Sequence, residues 1–97
     1  MTLHKFLRAR AHGLKPVVIT GQAGLSAAVL NEISLALDHH ELIKVRVNAP
    51  DRETRQQMIE HICTTLTAEL IQTIGHIATL YRVSPDKQAK ARSTSTV

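Results

Sequence analysis

The chain has 97 residues, a formal net charge of +4, and only one Tyr and one Phe. That length suits one domain with one modest core. Its lone cysteine, Cys63, excludes an internal disulfide and a Cys-rich zinc module, and no apolar run reaches the ~18 residues of a membrane span.

Residues 2–15 predict a first helix. Leu3, Leu7 and Leu14, with Phe6 beside them, recur at helical spacing. On another face His4, Lys5, Arg8, His12 and Lys15 fall within an arc of roughly 100°. This basic start lacks the continuous apolar core of a secretory signal. Gly13 and Pro16 stop the helix. Val17, Val18 and Ile19 then form a short apolar run, as expected for a strand covered on both faces.

Ser26 suits the N-cap of a second helix, with Val29, Leu30, Ile33 and Leu37 facing a core. "DHHE" (Asp38 to Glu41) closes it. In the next strand Ile43, Val45 and Val47 alternate with Lys44 and Arg46. Pro50 and Asp51 open a third helix whose apolar side is Met58, Ile59, Ile62, Cys63 and Leu66. "ELIQTI" and "IATLYRV" read as two strands joined by the tight turn Gly75-His76. Residues 84–97 have almost no large apolar side chain and are expected to form a basic, disordered tail. The order α-β-α-β-α-β-β predicts one α/β domain over residues 1–83, a mixed four-stranded sheet packed with helices. The order of strands within that sheet does not follow from the sequence.

Charge is unevenly placed. Residues 1–31 hold Lys5, Arg8, Arg10 and Lys15 and no acid, residues 32–81 balance to −3, and residues 82–97 to +3. A basic excess at both ends suits a polyanion, or a plain solvated surface.

The glycines Gly21 and Gly24, in "TGQAGLS", admit several readings. The Gly-Lys-Ser/Thr end of a P-loop is missing, and the first spacing is wrong for a dinucleotide fingerprint. A structural turn remains open. So does a backbone clamp, in which two residues without Cβ admit a nucleic-acid backbone to the N–H groups at a helix start. KH domains use a loop of this kind. Beside an acid-free basic helix, with Lys44 and Arg46 on a strand expected nearby, the clamp is the favoured reading.

Taken together, "LRARAHGLKPVVITGQAGLSAAVLNEISLALDHHELIKVRV", then "DRET", then "QTIGHIATLYR" resemble the CRM domain (chloroplast RNA splicing and ribosome maturation), in particular the short bacterial stand-alone YhbY-like proteins. The resemblance covers about residues 3–83. It implies a fold similar to the C-terminal domain of translation initiation factor three, and RNA binding without catalysis; the single cysteine fits a cytoplasmic, reducing setting. Bacterial members are associated with precursors of the large ribosomal subunit. It places the family's GxxG loop on Gly21, Gln22, Ala23 and Gly24, and its basic helix on Lys5, Arg8, His12 and Lys15. This chain departs at Gln22 and Ala23, which put no cation in the loop, at His76 in place of a common Lys, and at Arg10 in place of a common Leu.

The expected partner is therefore RNA, specifically large-subunit ribosomal RNA, bound by a monomer with no cofactor, metal or membrane. A protein adaptor that sets the basic helix on an acidic partner is the alternative. His39 and His40 are adjacent and diverge by about 100° on a helix, which does not suit one ion. Cys63 sits on an apolar stripe, as an inert thiol would. With only Phe6 and Tyr81 to stack on, recognition is expected to favour backbone and shape over base identity.

Overall fold

The computed structural model describes residues 2–21 and 24–83. The tail expected at 84–97 lies outside them, as do Gln22 and Ala23. In chain order the elements are α1 (Leu3–Ala11), β1 (Pro16–Ile19), α2 (Ala27–His40), β2 (Leu42–Arg46), α3 (Arg52–Leu66), β3 (Glu69–Ile74) and β4 (Ile77–Tyr81). The strands form one sheet in the order β1-β2-β4-β3. β1 and β2 run parallel, and β4 lies antiparallel to both its neighbours.

Local chemistry sets the boundaries. Thr2, Ser26 and Asp51 cap the three helices, each side chain accepting the N–H three residues on, from Lys5, Val29 and Thr54. The Thr54 backbone N–H, 2.7 Å away, holds the Asp51 carboxyl below its ordinary pKa. A group lowered on folding stabilises above its unfolded pKa, so this cap is lost as pH falls below the ordinary carboxyl range. Gly75, at φ 58°, turns β3 into β4. The first helix is shorter than predicted. It ends at Ala11, and the Leu14 N–H turns back to the Ala11 carbonyl.

The two sides of the sheet are covered unequally. α2 and α3 pack on one side, where Val18, Ile33, Leu37, Ile43, Val45, Val47, Ile59, Ile62, Ala78 and Leu80 form the core. On the other side α1 makes a smaller cluster, Leu7 and Ala11 with Leu42, Ile71 and Tyr81. A helix of nine residues is only ~14 Å long and leaves part of that face open. The β1 run is therefore not covered on both sides, contrary to the sequence reading. Val18 is buried, but Val17 and Ile19 are exposed, Ile19 to 60%. The α1 stripe is likewise partial: Leu7 and Ala11 are buried, while Leu3, Phe6 and Leu14 are exposed.

Arg82, counted by sequence among the cations of the C-terminal end, is instead part of the core's frame. Its Nη1 donates to the Leu66 carbonyl at 2.8 Å. Its Nη2 donates to the Ser34 carbonyl at 2.9 Å and to Asp38 Oδ1 at 2.8 Å. One guanidinium thereby ties the end of β4 to α2 and to the last turn of α3. Cys63 is half-buried, and burial pushes its thiol pKa up, which keeps it protonated and poorly nucleophilic at neutral pH.

Candidate nucleic-acid interface

The parallel strands β1 and β2 end side by side, and each feeds a helix that returns over the same face. Their carboxyl ends are pinned by one polar staple. The Thr20 N–H donates to the Arg46 carbonyl at 3.0 Å. The Asn48 N–H donates to Thr20 Oγ1 at 2.9 Å, and Asn48 Nδ2 to the Thr20 carbonyl at 3.1 Å. Thr20 is fully buried, so these bonds satisfy groups that water cannot reach. Arg46 Nε donates to Asn48 Oδ1 at 3.3 Å, which holds this guanidinium beside the staple.

Above the staple lies an open crevice of about 510 Å3, lined by Thr20, Gly21, Gly24, Asn48, Ala49, Pro50 and Met58. At its lip the Gly24 N–H donates to the Gly21 carbonyl at 3.0 Å. The two glycines differ in kind. Gly24 has φ +68°, a backbone that other residues adopt at a cost. Gly21 has no such angle, and a Cβ built there meets nothing within 4 Å. The fold does not require glycine at position 21, and the space beside it opens outward.

The two helix starts at this crevice also differ. α3 begins at Asp51, whose carboxylate already takes the Thr54 N–H. α2 begins at the neutral Ser26, with no acid in its first turn. Its N-terminal dipole is left uncompensated, which favours an anion.

Lys5, Arg8 and His12 are exposed on or just after α1, and Lys15 is exposed ahead of β1. Lys44 and Arg46 lie on the sheet face that α1 packs against, alternating with the buried Ile43, Val45 and Val47. β1 is thus flanked by cations as expected. Lys15 and Gly21, however, stand at opposite ends of that strand, roughly 15–20 Å apart along the chain direction. The basic helix and the glycine loop are not one compact site. His4 leaves the cationic arc, since its Nε2 meets Glu69 Oε1 at 2.7 Å. Arg10 is exposed, its guanidinium 6.0 Å from the centre of the Phe6 ring.

Sequence reasoning missed Thr20 and Asn48, whose roles exist only once β1 and β2 pair. It also missed Arg55, whose Nη1 lies 3.2 Å from His76 Nδ1 at the hairpin tip. The Val47 N–H donates to the His76 carbonyl, bringing that tip to the end of β2. Among the described residues no three His, Cys, Asp or Glu side chains are grouped to hold a metal, and no helix is long and apolar enough to cross a membrane.

The CRS1 / YhbY (CRM) domain family model matches residues 2–82. The chain belongs to this family. Among CRM-domain relatives, an RNA-binding protein of Haemophilus influenzae is 52% identical over 86 residues, 89% of this chain and 85% of its own length. A protein of Bacillus subtilis, named a probable RNA-binding protein, is 33% identical over 84 residues, 87% and 88% of the two chains. The solution structure of a Staphylococcus aureus protein, described as hypothetical and as a candidate for RNA binding, superposes with a TM-score of 0.74 at 30% identity over 84% of each chain. These relatives are described in terms of RNA binding, not of enzymatic activity.

Proposed function

We propose that this CRM-domain protein is a non-catalytic RNA-binding factor that associates with precursors of the large ribosomal subunit. It acts in the cytoplasm as a monomer and grips the RNA backbone with the GxxG loop, residues 21–24, and the basic first helix. The observation that carries the reading is Gly21. Glycine stands there with no steric or torsional demand from the fold, at the mouth of a crevice facing an uncompensated helix N-terminus. A phosphate brought against that backbone uses the missing Cβ and the dipole together. Lys5, Arg8, His12, Lys15, Lys44 and Arg46 supply the surrounding positive charge. The choice of ribosomal RNA rests on the resemblance to short bacterial members of the family.

The test is a sucrose gradient of cell lysate at low magnesium, probed for the protein and repeated at high salt. The protein is expected in the fractions of large-subunit precursors, and salt is expected to release it. Signal only at the top of the gradient, or on small-subunit particles, overturns the ribosomal assignment.

A second expectation concerns single cations. Arg8→Ala and Lys15→Ala should each weaken binding to all RNA sequences alike. For single-stranded RNA each should flatten the slope of log K against log salt by ~0.7 per lost phosphate contact. Unchanged slopes in both variants place the RNA on another face.

A further inference from the structure

We propose that the open half of the sheet, between α1 and the glycine loop, is a platform for unpaired RNA bases. The inference rests on the RNA-binding reading above and gives it a ligand chemistry: nucleotides whose bases are free to stack.

Strand register carries the argument. Ile19 pairs with Arg46, Arg46 with Ile77, and Ile77 with Ile74. These four residues form one row straight across all four strands, on the side away from α2 and α3. The next row is Pro16, Lys44, Thr79 and Gln72. α1 covers the row beyond, at Leu42 and Tyr81, and within the middle row Thr79 is buried. Ile19 and Ile74, at the two ends of the open row, are 60% and 65% exposed. A shallow depression of about 170 Å3 lies between the rows, lined by Leu14, Pro16, Lys44, Gln72, Ile74, Ile77 and Thr79.

Ile19 and Ile74 flank a depression whose lining includes Leu14, Pro16 and Ile77, and an apolar patch of this kind rimmed by polar residues marks an interaction surface. The charges on it select the occupant. Lys44 and Arg46 stand within the two rows, and neither row contains an acid. Arg46 stands between Ile19 and Ile77 in that row, and its guanidinium is held through Nε by Asn48. A planar cation flanked by aliphatic side chains offers a base both stacking area and attraction. A second copy of this chain would set like charges against each other. Continuity points the same way. Lys15 lies at one end of β1 and Gly21 at the other, so a strand of RNA that touches both passes over this face. The platform is aliphatic and cationic, which is why two aromatic residues in the whole chain do not reveal it.

The experiment compares two twelve-nucleotide single-stranded RNAs of identical backbone, one with bases and one with abasic sites at its centre, both titrated into the full chain at several salt concentrations. The base-bearing strand should bind ~5- to 100-fold more tightly. The double variant Ile19→Ser/Ile74→Ser should lose most of that advantage, keep its affinity for the abasic strand and keep the salt slope. If the serine pair unfolds, Ile19→Thr/Ile74→Thr retains β-propensity and takes its place. Equal affinity of the parent for the two strands overturns the platform while leaving the RNA-binding reading intact. So does a folded double variant that binds both strands like the parent. Failure of the parent to bind either strand in a salt-dependent way removes the RNA-binding reading itself, and the platform with it.

Discussion

Arg82→Ala is expected to lower stability by ~2–3 kcal/mol, the loss of charge-assisted hydrogen bonds to partners that then lack a donor. The side chain is 18% exposed and reaches four acceptors on two helices: the carbonyls of Leu66 and Ser34, the Ser34 hydroxyl and the Asp38 carboxylate. Two effects reduce the net gain in the parent. Asp38 is 38% exposed, so solvent screens that pair. Arg82 Nε is buried with no hydrogen-bond partner among the described residues. For a domain of this size the loss corresponds to a fall of ~10 °C or more in Tm. Arg82→Lys should recover little, because one ammonium does not span carbonyls on two helices. Thermal unfolding followed by circular dichroism checks both. A Tm within ~2 °C of the parent for Arg82→Ala shows that water replaces the guanidinium at no cost.

Gly24→Asp should leave the fold standing and cut RNA affinity by ~10-fold or more, since placing like charges in contact costs several kcal/mol. The carboxylate would stand at the start of α2, where phosphate is proposed to bind. Its cost to the fold is moderated in two ways. Asp is among the residues that tolerate a left-handed backbone, and an acid near a helix N-terminus is favourable. Gly21→Ala is the cleaner companion, because a Cβ there meets nothing within 4 Å. It should keep the parental Tm and still weaken binding. Filter binding at fixed salt, with circular dichroism on the same samples, checks the pair. If both variants stay folded and bind RNA like the parent, the loop is an ordinary turn.

Much of the fold was legible because it is written in short-range patterns. Ser26 and Asp51 are caps for reasons that extend three residues along the chain. The alternation through Ile43, Val45 and Val47 states which side of β2 is buried without reference to any other strand. Gly75 marks the hairpin through its own backbone angle. The run Val17-Val18-Ile19 was misread because hydrophobicity says that a side chain can be buried, not that a neighbour exists to bury it. α1 stops at Ala11, so Ile19 has no helix above it.

The candidate site divides along the same line. The sequence by itself determined the elements, the cationic first helix, the GxxG spacing and the family resemblance, because each depends on residues close together in the chain or on order along it. Only the tertiary structure decided that Thr20 and Asn48 lock the crevice and that Arg82 serves the core and not the charged surface. It alone aligned Ile19, Arg46, Ile77 and Ile74 in a row. These relations depend on strand order and register, which long-range packing sets: Ile19 and Ile74 are far apart in sequence and come to one face only when all four strands pair.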